Sequence, residues 1–282
     1  MKYLILNGST RRGNTWKIVE LTRKRLLEKD AAAVFEEIHL SELQLPFCIG
    51  CSNCFRLGGQ YCPHWDMLSR VLKAFDAADG IIVASATYNL RETGMLKNLL
   101  DHMCYLLHRP RFFTSKALVI TSVGGVGGGS AAKSIAGTLR GIGFNRCYRL
   151  SLATTSWNAY VPAEKHKSHI EKATDSFYRD VAGGKIHYPA TGPLIPYNIF
   201  RGMCVNYAPG TEYESEDGIY WTEPRRQKRA YDADIPLTII QKAVGGLFYI
   251  LGKVLGKRNI VTYRKYGKSG EISELPSQRI DM

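Results

Sequence analysis

Two stretches of the chain carry residue types that do chemistry. Four of the seven cysteines, Cys48, Cys51, Cys54 and Cys62, fall within fifteen residues. An odd total argues against a disulfide framework. In a reducing compartment so tight a group reads as a metal site or redox centre. Cys104, Cys147 and Cys204 stand alone and read as small buried hydrophobes. The second stretch is Asn7-Gly8-Ser9-Thr10-Arg11-Arg12-Gly13-Asn14-Thr15. Gly8 and Gly13 let the backbone curl so that amide N–H groups converge, and a helix starting there adds its positive end. Ser9, Asn14 and Thr15 supply side-chain donors, and Arg11 or Arg12 a full charge. That is a phosphate cradle. Its spacing resembles a nucleoside-triphosphate loop, but Asn14 stands where that loop needs lysine, so a terminal monophosphate suits it better. G-x-G-x-x-G is missing, which disfavours a dinucleotide site. The plainer alternative is a glycine-rich turn with no ligand.

Alternating strands and helices must position these stretches. Apolar and β-branched runs predict strands at Lys2–Asn7, Val34–His39, Gly80–Ser85, Lys116–Ser122 and Cys147–Leu152. Helical periodicity predicts helices at Thr15–Leu27, Asp66–Ala77 (with Asp66 as N-cap), Gly94–Leu107, Ala131–Arg140 and Glu164–Val181. Parallel neighbours need crossovers, so the fold class is α/β, a doubly wound five-stranded parallel sheet with helices on both faces. Ligands then bind off the carboxyl ends of the strands. The loops after strands one, three and four are where chemistry belongs. Two of these are Ala86-Thr87-Tyr88-Asn89-Leu90 and the glycine loop Gly124–Gly129. Glycine permits close approach of a planar ring, and Tyr88 or Asn89 can stack on it or hydrogen-bond it. The glycine loop reads equally as a flexible turn.

The 282 residues exceed one ordinary domain, and with 45% hydrophobic and 22% charged residues the chain is neither disordered nor collagenous. No uninterrupted apolar run reaches the roughly 18–20 residues of a membrane helix, and the N-terminal apolar run is too short for a signal peptide. A cytoplasmic protein is expected. The formal charge is +13, of which the first 160 residues carry +9. A basic surface suits an anionic cofactor or substrate. No nucleic-acid-binding signature accompanies it, so no nucleic-acid partner is expected. No Ser/His/Asp arrangement or carboxylate pair stands out, which agrees with chemistry carried by a cofactor.

GSTRRGNT after strand one, SATYN after strand three, LKNLLD downstream and the glycine loop after strand four together resemble the flavodoxin-like NAD(P)H-dependent FMN reductases, over about residues 1–180. The resemblance implies that Ser9, Arg11, Gly13, Asn14 and Thr15 hold the FMN phosphate. By the same resemblance Ala86, Thr87, Tyr88, Asn89, Gly124 and Gly125 line the isoalloxazine ring, and NAD(P)H is the electron donor. The family often has proline where Ala86 stands. Cys48-x2-Cys51-x2-Cys54-x7-Cys62 resembles the motif of the iron–sulfur flavoproteins, which implies a [4Fe–4S] cluster on those four residues. Thiolates at two-residue spacing wrap one face of a cubane when the backbone is looped. Zinc on the same four cysteines, and no metal at all, stay open. His64 and Trp65 are placed to shield a cluster.

The expected organisation is a flavodoxin-like FMN-binding domain at 1–183, with the cysteine-rich loop at 46–63, and a C-terminal extension at 184–282 serving as a lid or oligomer contact. Turn-rich segments precede a helix at Asp234–Lys257, and the run Lys253–Lys268 is basic throughout its charged positions. A solvated basic edge on a homo-oligomer is favoured over contact with an anionic membrane surface. Tyr188, Tyr197, Tyr207, Tyr213, Tyr220 and Trp221 are offered as a cap on a neighbouring flavin pocket. The expected function is electron transfer between NAD(P)H or a redox protein and an acceptor such as a quinone, with a cluster-free reductase or a flavodoxin-like carrier as alternatives.

Overall fold

The computed structural model describes residues 1–157 and 159–258. Its strands are β1 (Lys2–Asn7), β2 (Val34–His39), β3 (Gly80–Tyr88), β4 (Arg91–Glu92), β5 (Lys116–Val123) and β6 (Arg146–Ala153). Five of them are parallel, in the order β2-β1-β3-β5-β6, while β4 pairs antiparallel with β3. This is the flavodoxin-like order, whose direction of winding reverses between β1 and β3. The register sets Asn7 beside Ala84, Ala86 beside Ser122 and Val123 beside Ala153. The carboxyl ends of the four strands therefore open at one rim.

The helices α1 (Asn14–Lys29), α2 (Trp65–Ala77), α3 (Gly94–His102), α4 (Gly128–Gly141) and α5 (Glu164–Ala182) cover the two faces. Strand side chains alternate, so Leu4, Leu6, Ile81, Val83 and Val119 face one core with α2, α3 and α4. Tyr3, Ile5, Ile82, Ala84, Leu118 and Ile120 face the other core with α1 and α5. Arg25 of α1 forks onto Asp175 of α5, with Nε and Nη2 each 2.8 Å from a carboxylate oxygen. That hydrogen bonding holds the Asp175 carboxyl below the usual carboxylate range. A lowered folded-state pKa stabilises above the unfolded value, about 4, and the benefit is lost as pH falls through the folded value. Asp175→Asn is thus expected to lower stability at neutral pH and to converge on wild type in strong acid, as urea unfolding across pH would report.

Several local expectations are corrected. Asp66 lies inside the first turn of α2, and His64 occupies the N-cap position without a side-chain cap bond. The helix expected over Gly94–Leu107 ends at His102 and resumes as one turn at Tyr105–His108. There the Asn98 carbonyl pairs with His102 Nδ1, and Met103 and Cys104 turn the chain. Gly128 and Gly129 belong to α4, so the open glycine loop is shorter than expected. Strand β3 runs on to Tyr88 and folds back through Asn89 and Leu90, both at positive φ, matching the twist of a tight hairpin.

Beyond α5, the run read as turns contains α6 (Thr191–Met203), followed by α7 (Glu216–Thr222) and α8 (Ile239–Arg258). Pro193 sits in the first turn of α6, where its missing N–H costs little, and Pro196 forfeits one ladder bond. Burial of Leu194, Tyr197, Cys204, Trp221, Tyr231 and Ile235 with Phe113 offsets that loss. Helix α8 begins at Ile239 rather than Asp234, after Pro236. It lies backbone to backbone on α6: a Cβ at Gly202 would stand 2.3 Å from the Tyr249 carbonyl, and one at Gly252 2.3 Å from that of Ile199. By length and composition alone Ile239–Lys257 is long and apolar enough to cross a membrane, although lysines interrupt its sequence. Arg264, Lys265 and Lys268 lie outside the described residues.

Candidate functional site

Gly8 starts the site. Its N–H bonds the Ala84 carbonyl at 2.8 Å, and a Cβ there would stand 2.8 Å from that of Leu96. Only glycine lets the loop after β1 pass this close to α3. Thr93 fastens the crossing: its hydroxyl donates to the Gly8 carbonyl and accepts from Leu96 N–H, capping α3. Ser9 is buried, and its Oγ accepts from Ala86 N–H at 2.9 Å, which ties the first loop to the third. Thr15 Oγ1 lies 2.6 Å from Ser122 Oγ, tying the start of α1 to the end of β5.

These ties shape one cavity of about 610 Å3 at the rim, between β1 and β3 and across β5, within the range of small-ligand and cofactor pockets. Ser9, Arg11, Gly13, Asn14, Thr15, Ala86, Thr87, Tyr88, Asn89, Gly124 and Gly125 all line it. The choice between the two arginines resolves. Arg12 turns away onto His39 Nε2 and the Trp16 ring, whereas Arg11 stays on the cavity wall with Nη2 on the Trp157 carbonyl at 3.1 Å. A fourth loop, Thr154-Thr155-Ser156-Trp157 after β6, completes the wall, and Asn14 Nδ2 reaches Thr154 Oγ1 and the Ser156 carbonyl. Sequence reasoning missed that loop, although the carboxyl-end rule applied to the last strand points to it.

The residues fit an FMN. Asn14 and Thr15, in the first turn of α1, line the cavity, and first-turn N–H groups have no intrahelical acceptors. Two buried polar atoms on the wall, Asn14 Oδ1 and Thr87 Oγ1, have no hydrogen-bond partner among the described residues. Buried polar atoms left alone are costly, and a polar ligand relieves them. The tyrosines and Trp221 offered as a cap are absent from this wall. Tyr197 and Trp221 instead build the third core, so aromatic density signalled packing rather than a flavin lid.

The cysteine loop lies at the side of the sheet facing α3. Buried Asn98, from the LKNLLD stretch, donates Nδ2 to the Leu45 and Pro46 carbonyls, both at 3.0 Å, and accepts from Cys48 N–H at 3.1 Å. Gly50, Ser52 and Gly58 take positive φ, which turns the backbone sharply between and after the first three cysteines. Burial raises the Cys62 thiol, and neighbouring Cys51, Cys48 and Cys104 raise it further. Cys54 hydrogen-bonds Cys104, and that contact with burial keeps the Cys54 proton on well above the ordinary thiol range. Cys104, read from sequence as an isolated hydrophobe, therefore belongs with the four. Beside them, potential ligand atoms of Cys62, His64 and His102 lie within 4.8 Å of one another. His64 Nδ1 meets His102 Nε2 at 2.9 Å, and burial lowers the His64 pKa. Arg109 braces the loop by donating to the Cys54 and Phe55 carbonyls and pairs with Asp217 of α7.

The winding order and the four-loop cavity define a flavodoxin-like α/β protein with a cofactor-sized site where the sheet reverses its winding. Residues 1–146 match the NADPH-dependent FMN reductase family, and the chain belongs to it. An iron–sulfur flavoprotein of Clostridioides difficile is 27% identical over 174 residues, covering 61% of this chain and 76% of the relative. Another from Archaeoglobus fulgidus is 34% identical over 101 residues; the match covers 36% of this chain and about half, 48%, of that relative. A solved NADH:FMN oxidoreductase in its apo form is 22% identical, with 63% of this chain and 88% of that one covered and a TM-score of 0.45.

Proposed function

We propose that the chain is an NAD(P)H-dependent iron–sulfur flavoprotein. Arg11, the hydroxyls of Ser9 and Thr15, the Asn14 side chain and the amides around Gly13 hold the FMN phosphate. Ala86, Thr87, Tyr88, Asn89, Gly124 and Gly125 would carry the isoalloxazine ring, and Thr154–Trp157 complete the wall beside Arg11 and Asn14. Cys48, Cys51, Cys54 and Cys62 hold a [4Fe–4S] cluster. FMN, when bound, accepts hydride and releases electrons one or two at a time, and the cluster passes single electrons. The chain's own residues bind, orient and exclude water: Arg11 offsets the phosphate charge, and Thr87 Oγ1 and the rim amides hydrogen-bond the ring.

One observation carries this reading: residues from separate strand ends and loops, singled out by their chemistry or by the family resemblance, line one wall at the point where the sheet reverses its winding. The relatives' shared description as iron–sulfur flavoproteins supports the cluster. Anaerobic stopped-flow mixing of the flavin-loaded protein with NADPH, then NADH, tests the reading. Bleaching of the flavin band within the mixing series is expected. A flavin that is bound yet not reduced by either nucleotide makes the chain a carrier loaded by another protein and overturns the reductase assignment.

A further inference from the structure

A cavity of about 520 Å3 lies between the cysteine loop and the C-terminal helices, with Phe55 and Arg56 on one side and Phe200, Met203 and Trp221 on the other. Asp217, in the first turn of α7, stands at its wall and bridges to the far side. That turn is held in place: Ser215 Oγ accepts the Gly218 N–H, and a Cβ on Gly218 would collide with the Tyr207 carbonyl. Asp217 Oδ2 accepts from His108 Nδ1 at 2.7 Å, and Oδ1 accepts from Arg109 Nη1. Arg109 is 7% exposed and turns its other donations onto the loop, from Nη2 to the Cys54 carbonyl and from Nη1 to the Phe55 carbonyl at 3.3 Å. The His108 ring packs between Phe55 and Phe200, 4.6 and 4.1 Å from them between centroids, and the Tyr220 hydroxyl donates to the Pro110 carbonyl. Asp217 and Arg109 therefore link the extension to the backbone of one of the four clustered cysteines.

This link is charged and largely shut off from water. A buried guanidinium is costly unless a carboxylate and further acceptors satisfy it, and Asp217, 15% exposed, supplies the carboxylate. The two peptide carbonyls take the remaining donations, which is how an outer shell fixes the residues that hold a metal. The donor set beside it fits a cluster. After the Cys104 contact and burial, Cys62 and Cys51 raise the Cys54 thiol further; after burial, Cys51 and Cys48 raise that of Cys62. The four thiols thus share one locality. The potential of an iron–sulfur cluster follows the net charge, hydrogen bonding and exposure around it. An arriving electron is a unit of negative charge, so a guanidinium against a ligand residue favours it, and a carboxylate behind that guanidinium takes part of the gain back.

We propose that the C-terminal extension is a working part of the redox centre: Asp217 holds Arg109 against Cys54, and this pair sets how firmly the cluster is kept and at what potential it takes an electron. The inference rests on the cluster of the proposed function and names what regulates it. The step concerned is the addition of one electron from the flavin, with no bond made or broken. Both residues act through the loop and are positioning residues.

Anaerobic reconstitution of the full chain, with iron, sulfide and FMN counted per chain and the cluster titrated electrochemically with mediator dyes, tests this. Arg109→Gln removes the charge and is expected to keep less than about half of the wild-type iron and to shift the remaining cluster to lower potential. Arg109→Lys restores the charge without the fork and is expected to bring the potential back toward wild type. Asp217→Asn leaves the guanidinium without its counter-charge and is expected to shift the potential upward. FMN content and helicity are expected to match wild type in all three. Opposite shifts from the two halves of one ion pair are what simple loosening of the loop cannot produce. Shifts of the same sign, wild-type iron and potential throughout, or FMN lost together with iron overturns the inference. If Arg109→Gln keeps no cluster, Asp217→Asn decides: an upward shift supports the inference and any other result overturns it. Wild-type protein that takes up no iron and sulfide overturns the cluster reading and this inference with it, whereas a loaded wild type with indifferent variants overturns this inference alone.

Discussion

Ser9→Asp is expected to lower FMN affinity by more than about a hundredfold while leaving the fold intact. Ser9 is buried, and its Oγ accepts the Ala86 N–H at 2.9 Å. An aspartate oxygen keeps that acceptor role but adds a full negative charge to the cradle. At an effective dielectric of about 20, a carboxylate and a phosphate dianion about 5 Å apart repel by several kcal/mol, and each 1.4 kcal/mol is tenfold. Riboflavin lacks the phosphate, so its affinity is expected to change far less. Fluorescence quenching of both flavins by the two proteins reads the difference, and circular dichroism checks the fold. Equal losses for the two flavins would put Ser9 near the ring rather than the phosphate.

Cys51→Ser is expected to reduce iron and acid-labile sulfide from about four per chain to near zero after anaerobic reconstitution, since a serine oxygen is a poor substitute for a cluster thiolate. Cys104→Ala serves as the contrasting variant. Cys104 touches Cys54 from the turn after α3 but lies outside the cysteine loop, so its loss is expected to leave the iron content unchanged. Iron retained in Cys51→Ser and lost in Cys104→Ala would exchange their assignments. Zinc in place of iron, abolished by the same Cys51 change, would make the loop a structural site and remove the cluster from the electron path.

The sheet was legible because its strands announce themselves locally. Lys2–Asn7 carries a buried apolar run ended by Asn7-Gly8, and Val34–His39 keeps β-branched and aromatic residues around its two glutamates as an edge strand. The cavity wall was legible for a related reason: the residues read from sequence sit at the carboxyl ends of strands, in the loops that follow them or at the first turn of α1, where topology fixes their place. What failed depends on distant contacts. Pro193 and Pro196 read as turn punctuation, yet Tyr197 packs edge-on to Trp221 at 4.6 Å and the buried face carries α6 through both prolines. Cys104 looked solitary because its partner lies fifty residues upstream. The gap at Met103–Cys104 is likewise tertiary, set beside the His102–His64 contact. Asp66 matched an N-cap preference, but the N-cap of α2 falls two residues earlier, at His64. The cavity beneath Phe200 and Trp221 had no sequence signal, since its walls come from the cysteine loop, the turn after α3 and the C-terminal helices.

The most direct measurement is the affinity of flavin-free wild-type protein for FMN against riboflavin, by equilibrium fluorescence titration at fixed salt. A loop from Gly8 to Thr15 that grips a phosphate through Arg11 and helix-terminal amides predicts FMN binding at least about a hundredfold tighter than riboflavin. Equal affinity for the two, or no binding of either, would contradict the account.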